Sequence, residues 1–293
     1  MKIKAIAPWF GGKRTLASRI VQLLGEHQQY FEPFCGSMAV VLAKPPAAME
    51  TVNDLHADLT NLARVLQDED CAVHLYDRLQ RTLFCEGLLE DAEAILRSAE
   101  AWQHRGRDLE RAYWYFLASW MGRNGVAGTA AKDYQIAVRW TAGGGSPTTR
   151  FRSCTESIPF WHERLKNVVI LSRDAFDIIP RIDDAPGVAI YADPPYALES
   201  RGGGKGPGGH SGTYLHEFIH DDPLFGDDHE RLRDQLAAFK RARVVVSYYD
   251  TPRVRELYRG WTFLDAARQK NLHQQNGRGQ RSKEAPEVLI VNG

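Results

Sequence analysis

The chain has 293 residues, enough for one large core or two modest ones, and its 43% hydrophobic and 25% charged residues are ordinary for a globular protein. Its 37 Lys and Arg balance 37 Asp and Glu, so total charge alone gives no reason to expect a polyanionic partner. No apolar run approaches 18 residues, which excludes a membrane-spanning helix, and Lys2 and Lys4 precede no apolar stretch of the kind a signal peptide needs.

Charge is unevenly distributed. Residues 61 to 106 carry nine Asp and Glu against five Arg, whereas residues 268 to 283 carry Arg268, Lys270, Arg278, Arg281 and Lys283 and no acid. That basic segment suits phosphate contacts, or equally a solvated loop. Cys35, Cys71, Cys85 and Cys154 are far apart, with no Cys-x-x-Cys pair and no histidine cluster at zinc spacing, so free thiols and no metal are expected.

The opening Ala7-Pro8-Trp9-Phe10-Gly11-Gly12-Lys13-Arg14 precedes Leu16, Ile20, Leu23 and Leu24 at helical spacing. Adjacent glycines let backbone approach a ligand, and the first amides of a helix favour an anion. The spacing is not that of a phosphate loop, because Arg14 stands where a metal-binding hydroxyl would be. Read alone, the segment is better explained as a plain turn. Next, a strand-like run from Tyr30 meets Glu32-Pro33-Phe34-Cys35-Gly36-Ser37 and a small-residue helix over Met38 to Leu42. This is the grammar of a nucleotide-type site without the full glycine fingerprint of a dinucleotide fold. A second strand, Glu50 to Asn53, ends at Asp54, where an acid can accept hydrogen bonds from ribose hydroxyls. A helix is expected over Asp58 to Leu66.

From about residue 60 to 165 leucine stripes at helical spacing are separated by joints at Asp68-Glu69-Asp70, Glu86-Gly87 and Gly106. Ala112, Tyr113, Phe116, Leu117 and Trp120 read as the core-facing stripe of one such helix. Arg123, Asn124, Lys132, Arg139, Trp140, Arg150 and Arg152 then alternate with glycines without a helical period. That texture predicts a hairpin and loops able to enter a DNA groove, or a surface excursion. A helix is expected over Ser157 to Leu165.

Val168 to Leu171 reads as a buried parallel strand, with Asp174 and Phe176 beyond it placed to frame an adenine ring. Val188 to Ala192 is stopped by Asp193-Pro194-Pro195-Tyr196. The prolines cannot continue a central ladder, so the strand presents Asp193 at its carboxyl end, the edge at which open α/β sheets bind ligands. The glycines between Gly202 and Gly212 suit a lid that orders on binding. A helix over Asp228 to Lys240, a strand over Val244 to Ser247, a helix over Pro252 to Tyr258 and strands over Trp261 to Leu264 and Val288 to Val291 complete the alternation. The pattern predicts a mostly parallel α/β sheet with a largely helical insert.

In their order, these motifs resemble the Dam-like, D12-class family of S-adenosylmethionine-dependent DNA adenine-N6 methyltransferases over nearly the whole chain. The likeness is carried by Trp9-Phe10-Gly11-Gly12-Lys13, Phe31-Glu32-Pro33-Phe34-Cys35-Gly36-Ser37, Asn53-Asp54, Asp174 with Phe176, Asp193-Pro194-Pro195-Tyr196, Val246 to Pro252 and Glu287 to Asn292. One departure is Met38, where the family usually has glycine and the backbone turn is less crowded.

The resemblance implies a Rossmann-like methyltransferase sheet divided as 1–59 and 166–293, with an inserted target-recognition domain at 60–165. It implies S-adenosylmethionine, released as S-adenosylhomocysteine, held by Trp9, Gly12, Lys13, Glu32, Pro33, Phe34, Cys35, Gly36, Ser37, Asp54, Asp174, Phe176 and Asp193. Asp193, Pro194, Pro195 and Tyr196 would form the catalytic motif, with no metal. Double-stranded DNA is the implied partner, with Arg123, Asn124, Lys132, Arg139, Arg150, Arg278 and Arg281 as candidate contacts. A cytoplasmic, nucleoid-associated protein of prokaryotic or phage origin would follow, while a homodimer and a cognate restriction endonuclease stay open as further partners. The alternatives are a cytosine-N4 enzyme, whose amine shares the geometry, an RNA methyltransferase, and a non-catalytic DNA-binding relative.

Overall fold

The computed structural model describes residues 3–9, 11–98, 107–122, 135–140, 145–196, 216–219, 226–266 and 287–293. Its centre is a seven-stranded sheet of β1 (Gln29–Glu32), β2 (Met49–Asn53), β3 (Val168–Leu171), β4 (Val188–Ala192), β5 (Arg243–Tyr249), β6 (Thr262–Asp265) and β7 (Glu287–Val291). The order across the sheet is β3-β2-β1-β4-β5-β7-β6. The first five positions are parallel, and β7 alone runs against its neighbours β5 and β6. Val244-Val245-Val246 suits a central strand because β-branched side chains fit the pleat. Val168-Val169-Ile170-Leu171, expected to be buried, instead forms the edge strand β3, with Val169 54% exposed because its outer side has no neighbouring strand among the described residues.

Helices cover both faces. Tyr30, Val52, Ala189, Tyr191, Val245, Leu289 and Val291 face one core, shared with α1 (Ala17–Leu24), α2 (Ala39–Ala43) and α3 (Ala57–Gln67). The alternate residues Val188, Ile190, Ala192, Val244, Val246, Tyr248, Val288 and Ile290 face a second core. Between β2 and β3 the chain also forms α4 (Glu69–Gln80), α5 (Glu86–Ser98), α6 (Leu109–Met121), α7 (Pro147–Thr155) and α8 (Ile158–Leu165). The second face is built by α9 (Ala175–Ile178), α10 (Asp228–Ala237) and α11 (Pro252–Leu257). Together these elements form a Rossmann-like α/β sheet with a largely helical insertion.

Polar residues start the helices. Asp68, in a joint read from the sequence, accepts from the Cys71 amide, and Asp108 and Thr251, not marked there, accept from those of Arg111 and Val254. Ala112, Tyr113, Phe116, Leu117 and Trp120 of α6 are all buried, as their spacing predicts. One expectation needs correction. Arg150 and Arg152 lie on the helix α7 rather than in a loop, because Pro147 sits in its first turn and Phe151, Cys154 and Thr155 supply a buried face. Among the described residues of the expected hairpin, Gly122 and Ile136 form an antiparallel bridge.

The helical insertion is tied to the sheet by a buried charge cluster. Arg164 of α8 grips Glu50 of β2 with two nitrogens, at 2.5 and 2.8 Å, and Lys44 at the end of α2 pairs with the same carboxylate. All three side chains are almost fully buried. Burial alone would raise the Glu50 pKa, but the hydrogen bonds and charges of Arg164 and Lys44 hold it below the ordinary carboxylate value. Glu50→Gln strands two buried cations and is expected to lower unfolding free energy by about 3–5 kcal/mol, read from a denaturant midpoint at neutral pH. A depressed folded pKa gives stability that is complete above the unfolded value, about 4.3, and is lost as pH falls through the folded one. The variant should lack that share of the acid-side dependence.

Candidate active site

The strand order reverses between β1 and β4, which leave their shared edge toward β2 and β5 respectively. The crevice beyond the carboxyl ends of these strands is the binding edge of an open α/β sheet. Two chain segments reach it, the turn after β1 and the Asp193-Pro194-Pro195-Tyr196 segment after β4.

After β1 the backbone turns at Cys35 to Met38, closed by the Met38 amide on the Cys35 carbonyl. Gly36 has φ of 44°, and a β-carbon there would lie 2.8 Å from the indole nitrogen of Trp9, so only glycine lets the indole rest on this turn. Gly36 donates its amide to Asp54 Oδ2, whose Oδ1 accepts from the His56 amide. The acid after β2 therefore braces the turn after β1. Met38 takes a left-handed backbone, with φ of 62°, and its side chain is wholly buried. A non-glycine residue there carries strain of about 1–3 kcal/mol, opposed by the burial of the thioether chain.

A cavity of about 430 Å³ opens at this edge. Trp9, Pro33, Phe34, Gly36, Asp54, Asp174, Phe176, Asp193 and Pro195, all singled out in the sequence, line it. Asp174 caps α9 by accepting from the Phe176 amide. The sequence reading missed Phe218, whose ring lies 5.8 Å from that of Phe34 and 5.5 Å from that of Phe176 and narrows the cavity between them. Its signal was weak, an isolated aromatic just beyond a glycine-rich run.

Gly12, Lys13, Glu32, Cys35 and Ser37 do not line that cavity. They converge with Trp9, Gly36, Tyr191 and Asp193 on a narrow cleft beside it. Glu32 is buried under the turn, accepts a 2.8 Å hydrogen bond from Tyr30, and is pushed up to about 8 chiefly by loss of solvent. Lys13 is only 4% exposed and donates to the Gly11 carbonyl at 2.7 Å. Its ammonium lies 2.9 Å from Asp193 Oδ1 and 3.2 Å from Glu287 Oε1. Burial opposes that charge, yet the two carboxylates raise its pKa overall.

Asp193, its side chain 19% exposed, also accepts from Ser247 at 2.6 Å, and Ser247 in turn bonds to the Tyr191 hydroxyl at 2.9 Å. Burial raises the Asp193 pKa, against the lowering effect of Lys13 and Ser247. Pro194 and Tyr196 are both buried; Tyr196 stacks on Tyr248 at 5.6 Å, meets Tyr249 edge-on at 4.7 Å and donates its hydroxyl to Glu287 at 3.0 Å. Glu287, Ser247 and Tyr191 are functional candidates that motif reading quoted only as strand residues or passed over.

Arg139 and Arg150 meet elsewhere, on a cavity of about 570 Å³ formed with Ile3, Ser146 and Thr149. The Arg150 guanidinium lies over the Trp120 ring at 5.5 Å. Trp140, 85% exposed, stands next to Arg139 in the chain. Phe10, Arg123, Asn124, Lys132, Arg278, Arg281 and the glycine-rich lid lie outside the described residues. Among the described residues no group of three or more His, Cys, Asp or Glu side chains is placed to hold a metal ion, and no helix is long and apolar enough to cross a membrane.

Comparison with known proteins places this geometry. The chain is 25% identical to the retron Ec67 DNA adenine methylase of Escherichia coli over 302 residues, covering 99% of this chain and 92% of that protein. It is 27% identical to the type II methyltransferase M1.LlaDCHI of Lactococcus lactis subsp. cremoris over 307 residues, covering 100% of this chain and 96% of that one. Residues 9–272 match the model of the D12 class N6 adenine-specific DNA methyltransferases, a span that runs from Trp9 past the Asp193 segment and the whole helical insertion. The chain belongs to the D12 class family of DNA methyltransferases.

Proposed function

We propose that this protein methylates N6 of an adenine flipped out of duplex DNA, with S-adenosylmethionine as donor. The observation that carries the reading is Asp193, held by Ser247 and Lys13 at the strand switch, in the wall of both the cavity and the cleft. The cavity fits the donor by its chemistry. Asp54 offers carboxylate oxygens for ribose hydroxyls, and Asp174 with Phe176 offers an acid and a ring for adenine. Trp9 on Gly36 closes the side toward the cleft. Bound there, S-adenosylmethionine supplies a sulfonium-activated methyl group and leaves as S-adenosylhomocysteine.

The protein's own residues must align and stabilise. An exocyclic amine is delocalised into its ring and nucleophilically weak. Asp193 and the Pro194 carbonyl can each accept one N6 hydrogen, which favours tetrahedral character at nitrogen and stabilises positive charge as the new C–N bond forms. Because Oδ1 already accepts from Ser247 and Lys13, Oδ2 is the oxygen left for the amine. The N6 lone pair makes the bond, and the extra proton on nitrogen passes afterwards to the carboxylate and on to water. Tyr196, buried against Tyr248 and Tyr249 with Lys13 over its ring, braces the Asp193-Pro194 segment from behind. The amine is out of reach inside a duplex, so the base is flipped.

The helical insertion at 60–165, together with the basic segment of 268–283, serves as the DNA-recognition part. Arg139 and Arg150 supply phosphate contacts there, and Arg123, Asn124, Lys132, Arg278 and Arg281 are further contacts of the same kind.

Radiolabelled methyl transfer to unmethylated duplex DNA, followed by nucleoside analysis, should give N6-methyladenine. Labelled N4-methylcytosine would move the assignment, and no label on DNA of diverse sequence would defeat the enzyme reading. Asp193→Ala should abolish transfer while cofactor binding persists. Gly36→Ala, which drives a methyl group into the Trp9 indole and strains a left-handed turn, should instead weaken cofactor binding by about tenfold or more, read by Trp fluorescence titration. Unchanged affinity in that variant would remove Trp9 and Gly36 from the cofactor wall.

A further inference from the structure

Four polar side chains reach the carboxyl edge of the sheet on the side of α1, namely Glu32 of β1, Tyr191 of β4, Ser247 of β5 and Glu287 of β7. Glu287 is the first residue of the one reversed strand. Pairing of β7 against β5 sets it opposite Tyr249 and sets Leu289 opposite Ser247, so it arrives from the far end of the chain at the edge where β4 ends.

One Glu287 oxygen, Oε1, accepts from the Tyr196 hydroxyl at 3.0 Å and faces the Lys13 ammonium at 3.2 Å. The residue is 4% exposed. Lys13 also lies 4.9 Å from the centre of the Tyr196 ring and 2.9 Å from Asp193. A lysine committed to Asp193 alone would neutralise the carboxylate that must accept the target amine. With Glu287 drawing on the same ammonium, Lys13 is shared between the two acids and Asp193 stays the better acceptor as positive charge builds on nitrogen.

We propose that Glu287 is a positioning residue for methyl transfer, holding Lys13 and Tyr196 from the sheet side so that Lys13 is shared and Asp193 keeps one oxygen for the target amine. This rests on the amine-clamp reading of Asp193 given above. Among the described residues, the charged and titratable groups facing Asp193 are Lys13 ahead of α1, Glu287 of β7, Glu32 of β1, Tyr191 of β4 and Tyr248 of β5. Glu287 raises the proton affinity of Asp193, and the Ser247 hydrogen bond lowers it. The two partners therefore push the acid limb of the kcat profile in opposite directions.

The test is the pH dependence of DNA methyl transfer by the full chain, with S-adenosylmethionine binding as the check on folding. Glu287→Gln should lower kcat about tenfold or more, keep the KM for S-adenosylmethionine within about threefold, and move the acid limb to lower pH by on the order of one pH unit. Ser247→Ala should move the same limb to higher pH. Should Glu287→Gln fail to bind cofactor, Glu287→Asp keeps the charge but shortens the reach, and should lower kcat with the limb in place. A wild-type kcat in whichever Glu287 variant folds, or a slower Glu287→Gln enzyme with an unmoved limb, overturns the proposal. A wild-type chain that methylates no DNA would overturn the function proposed above instead.

Discussion

The Lys13 ammonium, almost wholly removed from water, is shared by Asp193 at the end of β4 and Glu287 at the start of β7. A buried cation held by one buried and one partly buried carboxylate is tolerable only when the groups stay together, because separating the cation from them leaves an uncompensated charge in a poor solvent. This constraint fixes the segment ahead of α1 against the sheet, and with it the Trp9 indole that rests on Gly36. The turn after β1 and the acid after β4 are thereby held in one register.

The same N-terminal segment is fastened on its other side by the helical insertion. Trp161 donates its indole proton to the Ile3 carbonyl at 2.6 Å, Ser157 accepts from the Ile3 amide at 3.0 Å, and Trp120 donates to the Ile6 carbonyl at 3.0 Å. The Ile6 amide then reaches the Ser37 carbonyl of that turn at 3.1 Å. A few residues of backbone thus connect α6 and α8 to the turn after β1. The Glu50 cluster makes a second, charged connection between α8 and β2. Insertion and sheet share one continuous apolar core as well, so the helices that follow β2 are built into the catalytic scaffold rather than hung from it.

Much of the fold was legible in the sequence. Val188 to Ala192 and Val244 to Ser247 announced central parallel strands by uninterrupted β-branched and apolar runs, and both lie buried inside the sheet. Val168 to Leu171, expected buried, is its edge strand and leaves Val169 54% exposed because, among the described residues, no strand covers its outer side. Pro194 and Pro195 stopped β4 where expected, because neither has an amide proton to give the ladder. The Tyr113, Phe116 and Trp120 stripe was core, as helical period requires. Arg150 and Arg152 misled, since the glycine run just before them obscured a nine-residue helix whose buried face is only Phe151, Cys154 and Thr155.

By itself the sequence determined which residues end the strands, and so which acids and rings stand at the binding edge, because strand ends are written locally in prolines, glycines and periodicity. The residues that complete the centre were decided only by tertiary structure. Glu287 stands 94 positions beyond Asp193, and nothing local marks it as more than the first residue of an apolar strand. It reaches Lys13 because β7 runs against β5, so that the start of one strand lies beside the end of another. Strand direction is set by how hydrogen-bond ladders close across the whole sheet, and that information is not carried by any short stretch of the chain.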